Sequence, residues 1–264
     1  MEYIFESAEQ NAEFERMKLI EGAFDEQTKA IIQNTGIAPG WRCLELGSGA
    51  GSILKWMSFS IGNKGKVVGI DKNIKFIEPI HANNINKIQG DILDIELENN
   101  EFDLIHSRYV LIHIKEAEKV IKKLIKFLKP GGVLVLEEPD FTSARAIEDS
   151  LLQGQAHQKV NEAIAQMFIN LGLNPSFGLK VPLILQKNKI KIERVIGEQH
   201  LCCGNSKIAK LMGRSAAALK DKYIKTQKAS EQDIQIYIDN SANEDFWEIY
   251  YSTISVVGRK NFWS

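Results

Sequence analysis

A short apolar run that breaks into three glycines at alternate positions constrains this chain more than any other stretch: residues 41–52 read W-R-C-L-E-L-G-S-G-A-G-S. Residues 41–46 suit a buried parallel strand, being short and rich in strand formers. Gly47, Gly49 and Gly51 follow as a G-x-G-x-G turn, where the backbone bends tightly at positive φ and a ligand approaches without meeting a Cβ. Residues 53–61 resume as a helix, so the turn offers unpaired amides and the positive end of a helix dipole to whatever binds. Such a turn cradles a nucleotide. The dinucleotide pattern G-x-G-x-x-G fails in both registers, because it needs glycine at Ser52 or at Leu54. Glu45, two residues before the first glycine, repels a pyrophosphate and favours a ligand carrying a cation there.

The rest of the chain repeats the strand and helix alternation. Residues 66–70 form a second strand that ends in Asp71, twenty residues beyond Gly51. An acid at that place in a doubly wound fold holds ribose hydroxyls, its two acceptor oxygens matching a vicinal diol, while the rival reading is a cap for a short helix over 73–80. Residues 86–89 make a weak third strand leading to Gly90-Asp91-Ile92. Residues 102–106 make the fourth strand, and residues 133–137 the fifth. Helical spacing of Ala117, Val120, Ile121, Leu124, Ile125 and Leu128 lies between them, stopped by Lys129-Pro130-Gly131-Gly132. Successive βα units of this kind put the strand ends, and the side chains on them, along one rim of a parallel sheet.

Three stretches together carry a family resemblance: E-L-G-S-G-A-G at 45–51, F-D-L-I-H-S-R-x-x-L-x-H at 102–113, and L-K-P-G-G-x-L-x-x-x-E at 128–138. In these the chain resembles the class I S-adenosylmethionine-dependent methyltransferases. The resemblance implies an α/β fold with a doubly wound, mostly parallel seven-stranded sheet, a Rossmann-like methyltransferase fold, and S-adenosyl-L-methionine as cofactor. It implies that Glu45 lies near the methionine ammonium, that Gly47, Ser48, Gly49 and Gly51 cradle the ligand, and that Asp71 and Lys72 stand by the ribose. Asp91 then faces the adenine amine, Ile92 packs on the ring, and His106 and Ser107 line the pocket. Asp91 as a plain turn residue is the rival. Methyltransferases of phosphoethanolamine-like amines resemble the chain at Ser107-Arg108 and His113, which implies His113 as a base working with an N-terminal tyrosine that Tyr3 would match. A helix-capping His113 is the equal alternative. N-P-P-Y-type motifs and a nucleophilic cysteine after the fourth strand are absent, so amide, base-nitrogen and pyrimidine-carbon methylation are set aside.

Composition narrows the partners. The 264 residues, 44% hydrophobic, suit one methyltransferase domain over 1–264, with a helical N-terminal cap over 1–36. In the cap, Ser7 and Gln10 read as a capping box, and Gly22 is expected to divide two helices. Helical lid insertions are expected over 142–188, with a core stripe of Val160, Ala163, Ile164, Met167, Phe168 and Leu171, and over 200–245; further strands fall near 190–196 and 249–257. A net charge of −1 and a pI near 6.5 give no broad basic surface, so no nucleic-acid partner is expected. The three cysteines match no metal or redox spacing, and no metal is expected. With neither a signal-like N-terminus nor a spanning run, a cytoplasmic protein without membrane attachment is expected. The expected partner is a small-molecule methyl acceptor, methylated on oxygen or nitrogen. Two other classes stay open: a protein that binds the cofactor without methyl transfer, in a cyclase-like or regulatory role, and a nicotinamide-dependent oxidoreductase.

Overall fold

Strand β1 (Arg42–Leu46) is the axis of the sheet, paired in parallel with β2 (Lys66–Asp71) on one side and β4 (Phe102–Arg108) on the other. The structure is a computed structural model that describes residues 4–5 and 10–262. The chain steps outward from β1 through β2 to β3 (Ile85–Gln89), then returns across β1 to β4 and β5 (Leu128–Asp140). The order β3-β2-β1-β4-β5 therefore reverses direction between β1 and β4, and the carboxyl end of β1 lies at that switch point, where open α/β sheets bind ligands. Beyond β5 come β8 (Trp247–Lys260) and β6 (Arg145–Ala146), and β7 (Ile190–Cys203) also pairs with β8.

Among the described residues the sheet thus has eight strands where seven are expected. β6 is a two-residue piece, antiparallel to Glu248 and Ile249 at the start of the 14-residue β8, too short to leave a period-2 pattern in the sequence.

Two compact units divide the chain. One comprises residues 24–138, 179–196 and 255 onward, and contains β1 to β4. Alternation along its strands puts Cys43, Val67, Leu104, Val133, Val135 and Val257 in one apolar cluster with Ile53, Leu54, Met57 and Ile61 of α2 (Ser52–Ile61) and with Ile31 and Ile32. The spacing i, i+1, i+4, i+8 on α2 gives one continuous buried face, each such side chain stabilising the unit by on the order of 2 kcal/mol. Gly62 ends α2 at positive φ, its amide bonded to the Phe59 carbonyl. α3 (Ala117–Phe127) buries Val120, Ile121 and Leu124 at the expected spacing, and α5 (Phe177–Lys187) precedes β7.

The second unit comprises residues up to 23, 139–178 and 197–254. Its helices α4 (Leu152–Asn170), α6 (Lys207–Ile224) and α7 (Glu231–Asn240) pack on one another. The stripe expected on α4 is buried except at Leu171, which follows the last turn and is 38% exposed. α7 starts on a capping box: Asp233 N–H donates to Ser230 Oγ, and Ser230 N–H donates to Asp233 Oδ2.

Two local expectations change. Gly22 does not divide the N-terminal helix: α1 runs unbroken from Gln10 to Gln33, and the bare Cα of Gly22 lets Lys207 lie against it, with Nζ on the Gly22 carbonyl at 2.7 Å. The expected capping box cannot be placed, since Ser7 lies outside the described residues. The helix expected over 73–80 is a single 3-10 turn, Ile74–Phe76, capped by the Asn73 side chain on the Lys75 amide. Among the described residues, no helix is long and apolar enough to cross a membrane.

Candidate functional site

The glycine turn is built from the backbone outward. Gly47, Gly49 and Gly51 have φ of +74°, +54° and +90°, in the left-handed region that favours glycine. Gly47 N–H donates to the Ile70 carbonyl at 2.8 Å, tying the turn to the end of β2. A Cβ on Gly47 would fall 2.1 Å from Val110 Cγ2, so the chain after β4 closes tightly on the turn. Gly51 caps α2 without a side-chain bond.

Asp71 joins this turn directly. Its Oδ2 accepts the Gly49 amide and its Oδ1 the Asn73 amide, each at 3.0 Å. Burial pushes its carboxyl upward, opposed by those amides. Asp91, two residues past β3, accepts the Leu93 amide on Oδ1 at 3.0 Å and pairs through Oδ2 with Lys72 Nζ at 2.9 Å. Its partial burial opposes ionisation, but the Leu93 amide and Lys72 outweigh it and hold the carboxyl below its ordinary value. Ile92 is buried. Both aspartates thus make a local turn bond to the amide two residues on, alongside any ligand role, while the cap of the 3-10 turn is Asn73 and not Asp71.

Glu45 and His106 sit opposite each other in the β1–β4 register, and both side chains are buried. His106 Nδ1 faces Glu45 Oε2 at 2.8 Å, and Nε2 faces Glu137 Oε1 at 3.0 Å. The Thr28 hydroxyl donates to Glu137 Oε1 at 2.7 Å and the Ser255 hydroxyl to Oε2 at 2.8 Å. Arg108 closes the network, donating to Thr28 Oγ1 at 2.8 Å and to Asp25 Oδ1 at 2.9 Å. Burial disfavours the imidazolium, but the Glu45 charge and the bond to Glu137 outweigh it and raise His106 to about 9. Glu45 is raised by burial against the pull of His106; Glu137, equally buried, is held low by its bond to His106.

The strand face that is apolar at Cys43, Leu104 and Val135 thus turns charged two residues on, at Glu45, His106 and Glu137. Glu45 and His106 are site candidates from sequence and Arg108 carries part of the family resemblance, whereas Glu137, Thr28 and Asp25 join the network only in the structure. Equal parity on neighbouring strands is the signal that links the three strand residues; Asp25 and Thr28, on α1, leave none.

Glu138 faces the other side of β5. It accepts the amides of Val110, Leu111 and Ile112 at 3.3, 2.9 and 3.0 Å, capping the 3-10 turn Leu111–His113. Burial outweighs those three amides and pushes its carboxyl up to about 8. His113 ends that turn and is partly buried. Tyr3 lies outside the described residues. Ser48 and Ser107 keep buried hydroxyls that make no hydrogen bond among the described residues. Two orphaned hydroxyls beside a glycine turn at the switch point suit a polar ligand of the kind the resemblance implies.

Comparison with known proteins bears on the same region. A family model described as a methyltransferase domain matches residues 37–195. A 37.1 kDa protein of a Streptomyces fradiae transposon is 31% identical over 110 residues, 40% of this chain and 32% of that protein. A demethylmenaquinone methyltransferase of Staphylococcus aureus is 26% identical over 115 residues, 42% of this chain and 48% of the relative. The match thus spans a third to a half of the length of these curated relatives. Among solved structures, the YcgJ protein of Bacillus subtilis covers 88% of this chain and 97% of its own, with a TM-score of 0.57 and 17% identity. Phosphoethanolamine N-methyltransferase 2 of Haemonchus contortus, solved with phosphomonomethylethanolamine and S-adenosylhomocysteine, covers 89% of this chain and 52% of its own, with a TM-score of 0.51 and 16% identity. At those identities the likeness is one of fold.

Proposed function

This chain belongs to the class I S-adenosylmethionine-dependent methyltransferases, and we propose that it methylates an oxygen or nitrogen of a small organic acceptor. The observation that carries the reading is the line of acids at the carboxyl ends of adjacent strands: Glu45 on β1, Asp71 on β2 and Asp91 after β3, beside the glycine turn. In this reading Glu45 holds the methionine ammonium, Gly47, Ser48, Gly49 and Gly51 cradle the chain of the ligand, and Asp71 with Lys72 takes the ribose. Asp91 accepts from the adenine amine, Ile92 packs on the ring, and His106 and Ser107 complete the pocket.

When bound, the cofactor supplies an electrophilic methyl whose leaving group departs neutral. The protein's own work is to align the acceptor lone pair in line with that methyl and to exclude water. His113 takes a proton from a hydroxyl or ammonium acceptor, with its 3-10 turn fixed by Glu138; Tyr3 is its proposed companion. The helical segments over 142–188 and 200–245 choose the acceptor, as lids on a single methyltransferase domain with 1–36 as its cap. The names of the Staphylococcus relative and of the Haemonchus structure's ligand, demethylmenaquinone and phosphomonomethylethanolamine, support a small acceptor.

Calorimetry with S-adenosylmethionine, S-adenosylhomocysteine and NAD tests the cofactor, with binding of the first two and none of NAD expected. NAD binding without binding of either adenosyl ligand would overturn the proposal. Methyl label from the cofactor should enter the low-molecular-weight fraction of a cell extract, and label confined to protein or RNA would refute the small acceptor. On the acceptor found, His113→Ala is expected to lower kcat by about 100-fold or more, and full turnover would remove the base.

A further inference from the structure

The ring of His106 lies between two carboxylates, 2.8 Å from Glu45 and 3.0 Å from Glu137, with no solvent exposure. A neutral imidazole carries one N–H and can donate to only one of them. Glu137 also accepts the hydroxyls of Thr28 and Ser255, so donors surround its two oxygens and its negative charge is well held.

Around this ring, among the described residues, stand Asp25, Thr28 and the Asp25-bound Lys29 from α1, Cys43 from β1 beside Glu45, Arg108 from β4, Glu137 from β5 and Ser255 from β8. Arg108 is bound to Asp25 and Thr28, and burial pushes the Cys43 thiol far up, so neither serves as Glu45's direct partner. Asp25 is matched by Arg108 at 2.9 Å and by Lys29 at 3.3 Å, so with His106 doubly protonated Glu45 and Glu137 face one imidazolium between them. If His106 were neutral, a buried Glu45 would instead hold a proton and could not serve as the counter-ion of a cation.

Resting on the reading that Glu45 receives the methionine ammonium, we infer that His106 is a positioning residue: anchored on Glu137 and protonated at both nitrogens, it keeps Glu45 ionised and fixed to receive that ammonium. The high proton affinity of the ring, titrating near 9, keeps this arrangement intact through neutral pH.

The test compares two ligands that share the adenosine half: S-adenosylhomocysteine, which has the ammonium, and 5′-methylthioadenosine, which lacks it. In His106→Gln, affinity for S-adenosylhomocysteine is expected to fall by roughly 10- to 100-fold, the worth of a charge-assisted contact, and to recover as rising pH ionises Glu45. Affinity for 5′-methylthioadenosine should stay within about twofold, which also reports that the variant is folded. Equal losses for both ligands, or no loss for either, would overturn the inference while leaving the cofactor reading standing. Wild-type protein that binds neither ligand would overturn the cofactor reading and this inference with it. Nitrogen NMR of the wild-type ring gives an independent check: two protonated ring nitrogens at neutral pH are expected, and a neutral tautomer would refute the proposal without any variant.

Discussion

Glu137 shows how one residue holds several elements in this unit. Its two oxygens receive His106 from β4, Thr28 from α1 and Ser255 from β8, and none of these groups reaches water. Removing one member of such a network leaves charge buried without compensation, which costs more than the network's net worth. Glu137→Gln is therefore expected to destabilise the protein by about 3–5 kcal/mol, read as a lower urea midpoint at unchanged slope. A change below about 1 kcal/mol would mean that the carboxylate carries little of the load.

At the scale of elements, the strands and helices follow local chemistry closely where the sequence is periodic and depart from it where tertiary contacts intervene. α2 begins and ends as its glycines dictate, whereas α1 continues through Gly22, whose bare Cα leaves room for Lys207. α7 is set by its capping box, and Ser230→Ala is expected to cost about 1 kcal/mol, measurable by denaturant titration, with the loss confined to the unit that holds α4, α6 and α7. Hydrogen exchange would localise it: faster exchange is expected at the first turn of α7 and unchanged rates along β1 to β4.

For the molecule as a whole, buried ionisable groups set the dependence of stability on pH. His106 is raised from its ordinary 6.5 to about 9, so the folded state binds the extra proton between those values; its contribution is complete below 6.5 and lost as pH rises through 9. Glu138 is raised from 4.5 to about 8, so its contribution is complete below 4.5 and lost by 8. Both make stability fall with rising pH, and between 6.5 and 8 they act together. Glu137, held below its ordinary value, works in the opposite sense and loses its contribution as pH falls below 4.5. Thermal melts should therefore show Tm declining from mildly acid to mildly alkaline pH, and His106→Gln should flatten the slope between 6.5 and 9. A Tm rising with pH across that window would contradict the protonation states assigned to this cluster.

The sequence by itself determined the parallel αβ core, because glycine placement, strand parity and helical spacing are local signals read within a dozen residues. It also marked Glu45, Asp71, Asp91 and His106, since each lies at or near the carboxyl end of a strand. Only the tertiary structure decided what those groups touch. That His106 bridges Glu45 and Glu137, that Asp71 clamps the Gly49 amide, that Glu138 caps a turn reached from β4, and that a two-residue β6 joins β8 all follow from strand order and register. The physical reason is range: backbone preference and amphipathic period act between near neighbours, while buried charges find partners 31 to 118 residues away through the packing of the sheet.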